Sequence, residues 1–242
     1  MQPNYENVIK LDCKNIRKER QKINNLDVFE CLMSKNKERL NKLVNKKELD
    51  RVIDELEITY DELLEKCSND RITSKILSGR ISKKASRQGT KDETLQLNTC
   101  NILTTKYEIF IENLSATAFR CTRDGKIISQ KELKKNKIKK SDCLKSFDGR
   151  IYGNNLNGWI FAKVVYGHGG HQDNVFIEAH DYCHWVKQFG NQNELYVVLI
   201  DTDLYDKFND LKKKYNDIDN ILIVNHIDFQ KYIIDHYTIN NE

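Results

Sequence analysis

Apolar residues in the first third of the chain recur at helical spacing. Leu32, Leu40, Leu43, Val44, Leu49, Val52, Ile53 and Leu56 fall at three- and four-residue steps, which marks one apolar face and predicts helices. Thr59, with Glu62 three residues on, has the pattern of an N-terminal cap for a helix over Leu63–Cys67; Ser68-Asn69-Asp70 caps another over Ile72–Ile81. From Tyr107 the period drops to two. Tyr107–Glu112 alternates and is rich in β-branched and aromatic residues, which predicts a strand, and a turn at Arg123-Asp124-Gly125-Lys126 leads to Ile127-Ile128.

Leu144–Ile151 is read as a strand, followed by a turn through Gly153-Asn154-Asn155 and Asn157-Gly158 and a strand over Trp159–Tyr166. An amphipathic helix over Asp173–Gln188 comes next. Leu195–Ile200 is apolar at almost every position, as expected of a strand buried on both faces. A helix over Leu204–Tyr215, a strand over Ile221–Val224 and a helix over Asp228–Tyr237 complete the series. Hairpin, helix, buried strand, helix, strand, helix predicts an α/β fold: a mixed central β-sheet flanked by helices, with a helical N-terminal subdomain. Residues 1–95 are expected to form that helical region, packed on a core of residues 96–242 with no Pro-, Gly- or Ser-rich linker between them.

Composition changes this picture mainly by exclusion. One Pro, ten Gly and seven scattered Cys rule out collagen-like and disulfide-scaffold classes. The cysteines are odd in number with no CxxC pair, so they are read as reduced thiols. No apolar run approaches the ~20 residues of a membrane helix, so no membrane span is expected. The start, MQPNYENVIKLDCK, lacks a basic-then-apolar leader, and a cytoplasmic location is expected. The net charge of +4 conceals an uneven distribution: residues 71–140 hold 17 basic and 6 acidic side chains, whereas residues 151–242 hold 7 and 13. A middle segment this basic suggests a polyanion partner, most simply nucleic acid. The run KKNKIKK, taken alone, is read as solvated surface.

Candidate chemistry centres on KSFDGRIYGNNLNGWIFAKVV. Asp148 sits on one expected strand and Lys163, 15 residues later, inside the next. Hydrolysis of a phosphodiester uses carboxylates to hold a divalent metal and a cation to orient or deprotonate water. A lysine in an apolar strand is costly to bury without a partner. The pair equally fits an edge-strand lysine whose stem lies on apolar neighbours while its amine reaches water.

With the segment that follows, GHGGHQDNVFIEAHDYCHWV, the order of elements resembles type II restriction endonucleases of the PD-(D/E)xK superfamily. The matching pieces are Asp148-Gly149, Ala162-Lys163, Gly170-His171-Gln172-Asp173 and Leu195–Ile200; the likeness covers roughly residues 145–203, and SRQGTKDE (86–93) is similar to a further piece. Phe147 stands where that pattern has Pro, and Phe161 where it has its second acid. The resemblance implies Mg2+-dependent, sequence-specific cleavage of double-stranded DNA at a short palindromic site, as one half of a restriction-modification pair, by a homodimer. It makes 96–242 the nuclease core and 71–95 a DNA-contacting segment. It further implies that Asp148, the Ala162 carbonyl and an acid replacing the one lost at Phe161 hold the metal while Lys163 acts on water. Glu178, 15 residues past Lys163 near a helix start, is the expected replacement, with Asp173, Asp181 and Glu93 as lesser ones.

Among DNA-contacting candidates, Lys83 and Lys84 suit phosphates, Arg87 and Gln88 match guanine and adenine edges, and Arg120 with Arg123 form a second phosphate-contacting pair. His171, Gln172 and Asn174 open a helix, where phosphates and base edges are reachable. His180 and His184 have a zinc-compatible spacing without an HExxH context and are read as surface or DNA-facing. Asp201-Thr202-Asp203 has the Asp-x-Asp form of aspartyl-phosphate phosphohydrolases, but no later carboxylate cluster accompanies it, and helix capping by Asp203 accounts for it better. A DNA-binding protein that has lost cleavage at Phe161 is the main alternative.

Overall fold

The computed structural model of the chain describes residues 6–85, 89–115, 118–166 and 170–237. Two compact units form, one of Leu11–Gln88 and one containing Gly89–Glu242.

The first unit is helical: α1 (Glu6–Met33), α2 (Lys37–Leu43), α3 (Lys46–Leu56), α4 (Tyr60–Asn69) and α5 (Arg71–Ile81). The apolar face read from the spacing closes its core, where Leu32, Leu40, Val44, Leu49 and Val52 are buried with Leu63, Leu64, Cys67 and Ile81. Leu56, at the end of α3, is 55% exposed and lies outside that face. Thr59 forms a reciprocal capping box with Glu62, and Asp70 accepts from the backbone N–H groups of Ile72 and Thr73.

Among its described residues the second unit holds α6 (Gly89–Thr104) and eight strands: β1 (Phe110–Asn113), β2 (Phe119–Thr122), β3 (Ile127–Ser129), β4 (Cys143–Ser146), β5 (Gly149–Gly153), β6 (Leu156–Val165), β7 (Leu195–Thr202) and β8 (Ile221–Val224). Helix α7 (Gln130–Lys135) follows β3, α8 (Gly170–Phe189) joins β6 to β7, α9 (Tyr205–Lys214) joins β7 to β8, and α10 (His226–His236) follows β8. The main sheet runs β1-β5-β6-β7-β8: its first three strands pair antiparallel, β6-β7 and β7-β8 parallel. It is the mixed sheet expected. Opposite faces bury alternate residues. Trp159, Phe161, Val198 and Ile200 pack with Phe176, Ala179 and Cys183 of α8 and Phe208 and Leu211 of α9. Ile160, Ala162, Val197 and Leu199 pack with Leu97 and Cys100 of α6 and Phe229 and Ile233 of α10. Burial on both faces is why β7 reads as a continuous apolar run.

A second, antiparallel sheet, β3-β2-β4, is inserted between β1 and β5. Leu144–Ile151, expected as one strand, is therefore two, in different sheets. The first strand also begins later than expected, because Glu108 takes a left-handed backbone (φ 58°) and ends a 3-10 turn before β1. Asn154 (φ 44°) and Asn155 (φ 63°) make the two-residue turn of the β5-β6 hairpin, a conformation asparagine tolerates. Among the described residues no helix is long and apolar enough to cross a membrane.

Candidate active site

The change of sheet sets the position of Asp148. Phe147 N–H still donates to Phe119 of the small sheet, but Asp148 N–H donates to Ile160 O (2.9 Å) and its carbonyl accepts from Leu114 N–H (2.9 Å). Asp148 is thus stitched between two strands at the point where the chain enters the main sheet. Any side chain at Gly149 would press on Glu112 O and Leu97 Cδ1, each 3.3 Å from its Cβ position. On β6, Ala162 N–H donates to Asp148 Oδ2 (2.9 Å), which fixes the carboxylate.

Lys163 Nζ completes the cluster. It lies 3.0 Å from Asp148 Oδ2, 2.9 Å from Glu93 Oε1 and 2.7 Å from Ala162 O, with the buried Phe161 ring beneath it at 4.7 Å. The three charged side chains are only 14–16% exposed, so water screens them weakly. Burial pushes the carboxyls of Asp148 and Glu93 up from their ordinary values; the Lys163 ammonium opposes this in both, and each is raised further by a neighbouring acid, Glu178 for Asp148 and Asp148 for Glu93. Burial also pulls Lys163 down, but Asp148 and Glu93 together outweigh it and hold the ammonium above its ordinary value. Two carboxylates on one ammonium leave an uncompensated negative charge when all three are ionised.

Glu93 reaches this point because α6 is anchored to the sheet. Leu97 and Cys100 are in the core, and Gln96 Nε2 donates to Asp201 Oδ2 (2.6 Å), with longer contacts to Lys163 O (3.3 Å) and Leu199 O (3.4 Å). The other oxygen of Asp201 meets His226 Nδ1 at 2.6 Å and His226 N–H at 3.4 Å. Gln96, Asp201 and His226 are all buried and were not anticipated as a group. Their one signal was polarity at positions where the α6 and β7 patterns otherwise demand apolar residues. Both oxygens of Asp201 are thus hydrogen-bonded, one to Gln96 and one to His226.

The other expected residues are placed as follows. Glu178 on α8 pairs with Lys145 (3.3 Å) and reaches Asp148 by its charge, with no hydrogen bond to Lys163. Asn174 is exposed near the start of α8, and Asp173 pairs with Lys207. Arg120 donates to Leu144 O (3.2 Å), and Arg123 is exposed, donating to Ser141 O (3.3 Å). In the helical unit, Lys83 and Lys84 are exposed, their amines on the carbonyls of Lys42 and Gly79. Arg87, Gln88 and His168 lie outside the described residues, as do the side chains of His171 and Gln172. Among the described residues no group of three His, Cys, Asp or Glu side chains could hold a metal ion, and His180 and His184 have no zinc-forming neighbours. Comparison with protein-family models and with curated proteins finds no match.

Proposed function

We propose that the chain is a Mg2+-dependent endonuclease similar to the type II restriction enzymes, cutting double-stranded DNA at a short palindromic site as a homodimer. The observation that carries this reading is Lys163 Nζ bridging Asp148, just before β5, and Glu93 on α6, beside the Ala162 carbonyl. The donor set fits the metal: Asp148, Glu93 and the Ala162 carbonyl offer hard oxygens, which a magnesium ion prefers, and two half-neutralised buried carboxylates favour an added cation. Glu93 takes the place left by Phe161, with Glu178 adding negative charge behind Asp148. When bound, the metal would neutralise charge building on the scissile phosphate.

The residues themselves have separable tasks. Asp148 is oriented by the Ala162 amide, so its second oxygen is aimed without a change of rotamer. Lys163, kept protonated by its two acids, orients the attacking water and offsets charge on the phosphate oxygen. Gln96 holds α6 against the sheet and so sets the distance between Glu93 and Lys163. Incubating the protein with long mixed-sequence duplex DNA and magnesium tests the reading. Discrete fragments that disappear with chelator and with Asp148→Asn are expected. Retention of DNA without cutting would select the non-cleaving DNA-binding alternative, and neither cutting nor retention would refute both.

A further inference from the structure

The small inserted sheet carries most of the unit's exposed positive charge. Lys131, Lys134, Lys135, Lys137, Lys139 and Lys140 are all exposed, and none forms an ion pair among the described residues. Three acids lie nearby: Asp124 faces Lys126 at 3.3 Å, Glu132 is held in the capping box of Ser129 while also attracting Lys135, and Asp142 accepts from the Ser141 hydroxyl. Lys134 and Lys135 lie in the last turn of α7, where the helix dipole alone would favour them. That argument does not reach Lys131, Lys137, Lys139 or Lys140. Lys137 even takes a left-handed backbone (φ 53°), which glycine or asparagine would adopt with less strain.

The lysines stand on a built platform rather than a loose loop. Ile128, Leu133 and Cys143, with Ile138, form a local core under α7. Trp185 Nε1 of α8 donates to Thr122 O at 2.7 Å, and Gly125 (φ 91°) lies so close to the Phe189 ring that an added Cβ would fall 2.6 Å from it. The platform also leads straight to the candidate site: β4 ends at Ser146, two residues before Asp148. Eight residues separate Lys140 from Asp148, no more than about 30 Å even fully extended.

We propose that this inserted module is a sequence-independent clamp on the phosphate backbone of duplex DNA, gripping it on one side of the site. The proposal rests on the endonuclease reading for its substrate, though not for its surface. Flexible exposed lysines that form no salt bridge suit phosphates and carry little base-edge geometry, so the module supplies affinity and register rather than sequence choice.

The test compares the wild-type full chain with a Lys134→Gln, Lys135→Gln, Lys139→Gln triple variant, checked for wild-type circular dichroism. Binding to duplex DNA is followed by fluorescence anisotropy in chelator across a salt series. Each lost phosphate contact should reduce the slope of log affinity against log salt by about 0.9, so between 50 and 200 mM salt the variant should lose about 40-fold less affinity than wild type. Its preference among DNA sequences should not change. An unaltered slope in a variant that still cleaves would overturn the clamp and leave the endonuclease reading standing. Wild type that never cleaves, paired with the predicted loss of slope, supports the clamp and overturns the endonuclease. A shift in the protein's own oligomeric state with no change in DNA affinity would overturn the clamp by making this surface a contact between copies of the chain.

Discussion

Two buried acids stand on the main sheet, Asp148 entering β5 and Asp201 near the end of β7, and their surroundings differ in kind. Asp201 is saturated: Gln96 takes one oxygen, His226 the other, and the side chains of Asp201 and His226 are each 3% exposed. Asp148 shares one oxygen between the Ala162 amide and Lys163, and a second buried acid competes for the same ammonium. The Asp201 cluster, with a donor on each carboxylate oxygen, holds α6 on the sheet. The other sets two carboxylates on one ammonium, and it is here that we propose a cation binds. Asp201 is the deeper, its side chain 3% exposed against 14% for Asp148, and the balance of donors and charge differs with it.

The sharpest way to break this contrast is to remove each acid in turn. Asp148→Asn should lower cleavage about a thousandfold, equivalent to about 4 kcal/mol of barrier, while the melting temperature holds or rises, because a repelled buried charge has been removed. Asp201→Ala should do the reverse, costing about 3 kcal/mol in urea denaturation by stranding Gln96 and His226. Equal effects of the two substitutions on stability would erase the distinction.

Next in size is the choice of second carboxylate. Glu93→Gln should reduce cleavage about a hundredfold, and Glu178→Gln only a few-fold, since Glu178 acts on Asp148 through space while Lys145 holds it. Initial rates at saturating magnesium decide between them; a dead Glu178→Gln beside an active Glu93→Gln would exchange the two roles.

The pH dependence is a smaller effect with a definite sign. Asp148 and Glu93 are held above ordinary values of 3.8 and 4.5, so the native state binds their protons more tightly than the unfolded chain does. In chelator, folding stability should therefore fall as pH rises from those values through the raised native ones, then level off. Urea midpoints measured from acid to neutral pH should show this decline, and Asp148→Asn should flatten it. A midpoint that instead rises in wild type over that window would mean that burial does not raise these two carboxyls.

Much of this was legible in the sequence, for local reasons. The β5-β6 hairpin was marked by residues that tolerate positive φ, the double-faced strand β7 by its unbroken apolar run, and Asp148 with Lys163 by charge at positions where a strand pattern expects none. What escaped depended on distant parts of the chain meeting. Glu93 lies 70 residues before Lys163, and nothing local says that α6 turns it toward β6. Glu178 was favoured instead because its distance along the chain was short. The break at Phe147 was missed because the flanking Leu144 and Ile151 suit a strand, and the change of sheet there depends on pairing with β2 and β6 rather than on any local turn signal. The Asp201-Thr202-Asp203 pattern was ascribed to helix capping because the partners of Asp201, Gln96 and His226, come from two different helices.

The account turns on whether the Asp148 cluster takes up a divalent cation that the Asp201 cluster does not, and calorimetric titration with magnesium measures this without DNA or catalysis. Wild type should bind with a measurable heat, as should a His226→Gln variant that leaves Asp148 intact, whereas Asp148→Asn should show only dilution heats. Undiminished uptake by Asp148→Asn, or uptake lost with His226→Gln in a folded protein, would contradict it.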